Sequence, residues 1–203
     1  MKTALVAITG ASGAIYGVRL VQRLLDGDVR TEVVLSEACR RVLEVEHDLR
    51  GDPSAFLAGR RGARPVLHDD RDLAALPASG SSTAEAMLVA PCSMGTAARI
   101  LQGLSGTLIE RAADVMLKER RPLVLVPRET PLSTLHLRNL LQLSELGARI
   151  VPAMPAFYFR PASIEDLVEF VVDRAIQAAG LPLPLRHPWR GTDAARAGLE
   201  EAP

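Results

Sequence analysis

Short apolar runs that stop at a glycine, serine or proline, separated by helical patterns, constrain this chain more than any other feature. The runs are Ala4 to Ile8, Thr31 to Leu35, Met87 to Ala90 and Leu123 to Val126. Three of the four are apolar at every position rather than at alternate ones, so those strands need cover on both faces. Helical periodicity follows the first run to about Leu25, then occupies Glu37 to His47 and about 94–103, 108–119 and 133–146. Gly147 reads as the C-cap of the last of these, and Arg149 to Val151 as a short final strand. Ser163 to Asp166 reads as a capping box opening a helix that runs to Ala179. Residues 50–64, rich in Arg, Gly and Ala, read as a polar excursion. Strands alternating with helices build parallel crossover units, so the predicted fold is α/β. It is a three-layer arrangement with a mainly parallel sheet in a single domain over residues 1–180, followed by a C-terminal tail over 181–203.

Composition excludes several function classes. Lys and Arg number 24 and so do Asp and Glu, giving a net charge of zero. A nucleic-acid binder needs a basic surface to displace phosphate counterions, so none is expected. Arg40-Arg41, Arg60-Arg61 and Arg120-Arg121 read as solvated helix ends. Cys39 and Cys92 form no CxxC and have no nearby His at zinc spacing, which predicts neither a disulfide framework nor a metal site. The apolar run near the N-terminus is shorter than a signal core, and no stretch reaches the roughly 20 residues of a membrane span. A cytoplasmic protein without membrane contact is the expectation.

In parallel sheets ligands bind beyond the carboxyl ends of the strands, and the polar motifs lie there. Thr9-Gly10-Ala11-Ser12-Gly13-Ala14 follows the first strand. Its small residues let backbone approach a ligand, and the next helix offers free N–H groups to an anion. Ser12 either caps that helix or bonds a phosphate oxygen. No GK[ST] follows, which excludes a P-loop, and neither Tyr16 nor Tyr158 has the Lys four residues on that a short-chain dehydrogenase needs. Ser36 ends the second strand. Ser93, Met94, Gly95 and Thr96 follow Pro91-Cys92 and make a second polar cradle, with Cys92 a small buried residue. Arg128 and Glu129 follow the strand before Pro127, where an Arg is a ready anion contact.

Glu46 falls in the middle of a helical stripe formed by Ala38, Cys39, Val42, Leu43 and Val45, with His47 opposite. A carboxylate facing a core costs several kcal/mol unless paired or protonated. Glu46 therefore either pairs with a buried Arg or works with a raised pKa. Arg111 and Lys118 share a helix face with Asp114 between them, which suits either an intrahelical ion-pair ladder or a basic pair for a phosphate. Ala156 to Pro161 holds three of the seven aromatics, Tyr158 among them, and Arg174 lies at the edge of the last helix's apolar stripe.

Taken in order, ITGASGAIYGVRL, ASGS, APCSMGT, LIERAADVMLKERRPLVLVPRETPL, PAFYFRP and DLVEFVVDR resemble the UbiX/Pad family of flavin prenyltransferases. The block from Arg111 to Pro131 is the specific part; the GASG turn is shared with other α/β proteins. The resemblance implies a Rossmann-like (flavodoxin-like) fold. It also implies a reaction joining a dimethylallyl group from dimethylallyl phosphate to reduced FMN, giving prenylated FMN for a UbiD-type decarboxylase. By resemblance FMN is held by Gly10, Ala11, Ser12, Ser36, Ser93, Met94, Gly95, Thr96 and Arg128. Dimethylallyl phosphate would meet Tyr158, Arg174 and Trp189, with Arg111, Lys118 and Glu129 around its phosphate. Catalytic roles fall to Glu46, Ser12, Lys118 and Glu129, with no metal. A flavin-dependent decarboxylase of the cysteine-decarboxylase superfamily and a non-catalytic flavin carrier are the alternatives.

The tail holds the only Trp, flanked by Arg186 and Arg190, among several prolines. It cannot form a core of its own. The resemblance implies a homo-oligomer, a dodecamer with sites at subunit junctions, so the tail is expected to complete a neighbour's site; folding back on its own subunit is the other arrangement.

Overall fold

β1 (Thr3–Ile8) sits inside a six-stranded parallel sheet, between β2 (Arg30–Leu35) and β4 (Ala86–Cys92). The structure, a computed structural model, describes residues 2–189 and 191. β3 (Val66–His68) extends the sheet beyond β2, while β5 (Leu123–Pro127) and β6 (Arg149–Ile150) extend it beyond β4, giving the order 3-2-1-4-5-6. The chain moves outward from β1 to β3 and then crosses back to β4. The direction of winding thus reverses between β1 and β4, which opens a crevice above their carboxyl ends.

Side chains alternate across each strand, so successive apolar residues feed two cores. Val6, Ile8, Leu88 and Val124 pack under α1 (Ile15–Asp26), α2 (Glu37–His47) and α7 (Ile164–Ala178). Leu5, Ala7, Met87, Val89 and Leu125 pack under α4 (Met94–Leu101), α5 (Leu108–Lys118) and α6 (Thr134–Glu145). The three-layer single domain expected from the apolar runs is what forms. Strand and helix limits match the sequence reading to within a few residues, and α7 does open on a Ser163/Asp166 capping box. Gly147 lies just past the α6 C-cap at φ +99°, a conformation that disfavours residues with a Cβ.

Residues 50–64 differ from the expectation. They hold α3 (Pro53–Phe56), fully bury Leu57 and pack Phe56 on the core, so this is a closing flap of the sheet edge. β3 carried no periodicity because it is a three-residue edge strand with Val66 and Leu67 exposed. Arg121 is not a solvated helix end. Its guanidinium donates to the carbonyls of Gly80, Ser82 and Ala84 and ties down the segment entering β4. Cys39 and Cys92 are buried free thiols whose pKa values burial pushes up to about 12. Among the described residues no helix is long and apolar enough to cross a membrane.

Gly10 sets the spacing between the turn after β1 and the start of α2. A Cβ there would lie 2.4 Å from the Cβ of Ala38. Gly10→Ala should therefore destabilise the fold by about 1–3 kcal/mol through overpacking. Adding Ala38→Gly should restore most of that loss, despite its own helix-propensity cost of about 1 kcal/mol. Denaturant unfolding of the two single variants and the double variant checks this; additive losses would show that the two positions do not press on each other.

Candidate active site

Thr9 staples the crevice. Its hydroxyl donates to the carbonyl of Pro91 (2.8 Å) and accepts from the N–H of Ser93 (2.8 Å), locking the end of β1 to the end of β4. It is buried, and the sequence reading had assigned it no role of its own. Its signal was only its place at the head of the glycine turn.

Among the described α-helices, α1 alone starts without a side-chain cap. The last turn of α2 supplies what is missing. Oε2 of Glu46 accepts from the N–H of Gly13 at 2.8 Å, so the carboxylate sits at the positive end of α1. Burial pushes its pKa up, but the Ser12 hydroxyl, the Gly13 and Ala14 amides and His47 together hold it below the ordinary carboxylate value. This corrects the sequence reading twice. Glu46 is neither paired with a buried Arg nor raised in pKa, and the stripe fails at its end, where Val45 is 84% exposed. Leu43 is the last buried residue of α2, so over the final turn periodicity no longer reports core. His47 lies not opposite but next to Glu46, with Nε2 buried, unpartnered and 3.7 Å from Oε2 of the carboxylate.

Arg128 closes the other side of the turn, its Nε donating to the carbonyl of Ser12 at 2.9 Å. Ser12, Glu46 and Arg128 are thus brought together. Tyr16 adjoins them; burial raises its pKa and the Arg128 charge works against that rise.

Ser36 and Ser93 each cap a helix, accepting from Cys39 N and Thr96 N respectively. Their helices begin side by side, and Ser36, Glu37, Ala38 and Thr96 line a cleft of about 360 Å³ with Arg99 and Asp70. Helix starts and hydroxyls make a donor set suited to a phosphate monoester such as that of FMN, while Arg99 lies 3.6 Å from the Glu110 carboxylate in the same cleft. Beside it, a Cβ on Gly95 would meet only an Arg99 nitrogen at 3.6 Å, so the backbone of α4 is open to a ligand. The residues fit the group. Asp70, missed in the sequence because its segment has no periodicity, accepts from Ile109 N and has its pKa raised chiefly by burial. Among the described residues no cluster of His, Cys, Asp and Glu could hold a metal ion.

A second group forms after β6. Ala153 N donates to Pro127 O, which sets the loop carrying Tyr158 alongside Arg128. Tyr158 packs edge-on against Trp189 (5.1 Å between centroids) and Phe170 (5.9 Å). Arg174 is exposed one turn along α7 from Phe170, and both line a cleft of about 330 Å³ with Met154. Tyr158 and Trp189 therefore form one group, and Arg174 lines the cleft on which Phe170 also borders. Through Trp189 the tail folds back on its own chain; Arg190 and residues 192–203 lie outside the described residues.

Arg111 and Lys118 stand apart from both groups. Arg111 bonds Ala78 O (3.1 Å) and Asp114 (2.7 Å), and Lys118 pairs with Glu119 rather than with Asp114. α5 runs back along the sheet, so Lys118 lies near the amino end of β5, the opposite edge from Glu46. Glu129 is exposed beside Arg128 and accepts from its neighbour Thr130 N at 3.0 Å.

Comparison with known proteins agrees with this architecture. The family described as Flavoprotein matches residues 1–176. The flavin prenyltransferase UbiX of Synechocystis sp. is 47% identical over 92% of this chain and 95% of its own. Of solved structures, AnUbiX (PadA1) in complex with FMN and dimethylallyl pyrophosphate matches with a TM-score of 0.85 at 41% identity, covering 94% of this chain and 98% of that one. A dodecameric FMN-dependent UbiX-like decarboxylase from Escherichia coli O157:H7 matches with a TM-score of 0.84 at 43% identity, covering 94% and 100%. On the strength of these matches, the chain belongs to the Flavoprotein family and, within it, to the UbiX flavin prenyltransferases.

Proposed function

We infer that this protein transfers a dimethylallyl group from dimethylallyl phosphate to reduced FMN, in the cytoplasm, and that the prenylated FMN serves a UbiD-type decarboxylase. The observation that carries the reading is the Glu46 carboxylate held on the Ser12–Gly13 turn next to Arg128, at strand ends where a cleft suited to a phosphate also opens. Bound reduced FMN supplies the nucleophilic N5 and C6 that take up the five-carbon chain.

The chain's own residues do the rest. Ser36, Thr96 and the first turns of α2 and α4 hold the phosphate end. Glu46, ionised at neutral pH, accepts the proton that must leave C6 when the new ring closes; a carboxylate already held by amides keeps its position while it does so. Ser12 orients it. Arg128, with Arg174, balances negative charge at the leaving phosphate, and the faces of Tyr158 and Trp189 stabilise positive charge on the allylic carbon.

Arg111 and Lys118 join the site from a neighbouring subunit. Their position supports this: no motion within one chain carries Lys118 around the sheet to Glu46, whereas a second copy can present its own α5. The protein is on this reading a homo-oligomer, a dodecamer like the related E. coli assembly, with Glu129 at the junction.

Anaerobic incubation with reduced FMN and dimethylallyl phosphate should give a flavin heavier by one five-carbon unit. Glu46→Gln should retain FMN through gel filtration yet lower product yield by about 100-fold or more. An unchanged flavin mass with wild type would reject the assignment, and full yield from Glu46→Gln would make the carboxylate a helix cap only.

The depressed pKa of Glu46 fixes the sign of two pH effects. Its contribution to stability is fully present above the ordinary value of 4.5 and is lost as pH falls through the folded-state value. Denaturation of wild type and Glu46→Gln should differ by a constant amount at neutral pH and converge in acid. The rate should likewise show no acid limb from Glu46 above about pH 5; a limb between about 6 and 7 would require a raised pKa instead.

Shared sites also predict complementation. Glu46→Gln and Lys118→Ala, each inactive alone, should regain part of the wild-type rate when the two are dissociated and reassembled together. No recovery in verified mixed oligomers would confine the site to one chain.

A further inference from the structure

The tail is fastened to α7 chiefly by one side chain. The backbone N–H of Arg186 donates to Oδ2 of Asp173 (2.6 Å), and Nε reaches both oxygens of that carboxylate (3.2 and 3.1 Å). Nη2 donates to Asp173 Oδ1 (2.8 Å) and to Glu169 O (3.1 Å), while Nη1 lies 2.5 Å from Oε2 of Glu169. Asp173 is only 5% exposed at its side chain, and Arg23 stands 3.6 Å from the same carboxylate. Arg19 completes the network on Glu169 at 3.1 Å, and Arg23 also holds the tail through the carbonyl of Pro184 at 2.9 Å.

A guanidinium bound through several of its nitrogens fixes direction as well as proximity. The three residues after Arg186 use that direction. His187 stacks on Phe159 at 4.3 Å, and its carbonyl accepts from the hydroxyl of Tyr158 at 2.9 Å. Trp189 then meets Tyr158 edge-on. Pro184 and Pro188 stiffen the path, so the register set at Arg186 carries through to the rings. Trp189 itself is 56% exposed, so its own burial does not hold it there.

We propose that Arg186 is a positioning residue for prenyl recognition: its clamp on Asp173 and Glu169 holds the tail in the register that sets Trp189 against Tyr158, and so builds the aromatic wall on which a short allylic chain rests. The role of that wall rests on the prenyl-transfer reading above; the clamp itself does not. It touches neither the phosphate cradle nor the Glu46 turn, so it acts on recognition of the five-carbon donor and leaves the flavin end alone.

Trp189 is the only Trp of the chain, so its fluorescence reports the strap directly. In the FMN-loaded protein, Arg186→Leu should shift Trp emission to the red and increase its quenching by acrylamide. It should also raise KM for dimethylallyl phosphate about tenfold with a smaller change in kcat, and leave FMN affinity within about twofold. Arg186→Lys should recover part of both effects. Glu169→Gln, which removes the charge facing Nη1 of Arg186 and Nη2 of Arg19 and leaves Asp173 paired, gives smaller shifts in the same readouts if Arg186→Leu does not fold. Unchanged emission and quenching would overturn the clamp. Exposed Trp with an unchanged KM would overturn its part in recognition, and parallel loss of FMN affinity and stability would reduce Arg186 to general support. A wild type that makes no prenylated flavin would remove the recognition claim while the fluorescence result still judged the clamp.

Discussion

All six residues of β1 are buried, and that constraint orders the rest of the molecule. A central parallel strand covered on both faces has no room for polar chemistry along its length. Polar groups are therefore displaced to the loop at its carboxyl end, where Thr9 satisfies the last backbone groups and glycine brings α2 close. The three other strands that share in the crevice end the same way, with Ser36, Ser93 and Arg128. Each of these residues does a structural job first: a helix cap, another helix cap, a bond to a turn carbonyl. The ligand contacts proposed for them would be added to groups that the fold already needs.

The lack of a capping residue at α1 shows this economy from the other side. Ala14 offers no oxygen to the first turn, so the amides of the glycine loop are left for an acceptor from elsewhere. Glu46 fills that role across a separation of 33 residues. A carboxylate so placed is held by backbone amides before any ligand arrives, and those bonds keep its pKa below the ordinary carboxylate value.

Much of the fold was legible because apolar runs and turn residues are local signals. Ser163 and Asp166 announced α7, and Gly147 the end of α6. The glycine turn, the two serine strand ends and Arg128 were legible too, since position after a strand is itself information in a parallel sheet. Glu46 was found for the wrong reason. Helical periodicity put it among core residues, but the last turn of α2 is not buried, and the carboxylate is held by the backbone of a loop far away in the chain. Asp70, the edge strand Val66–His68 and the clamp around Asp173 left no trace, because each depends on partners that meet only in three dimensions. The separation of Lys118 from Glu46 was equally hidden: two residues that the family resemblance joins in one site lie at opposite ends of the strands within one subunit.

The contact between Gly10 and Ala38 has a consequence for aim. α2 is pinned near its first turn and carries Glu46 eight residues further on, about 12 Å along the axis. It therefore works as a pointer on a fixed pivot, and a tilt of about 5° at the pivot moves the carboxylate by about 1 Å, enough to matter for a proton transfer. A single methyl group added at the turn would thus be felt at the far end of the helix as a misdirected carboxylate, even in a molecule that had absorbed the strain and remained folded.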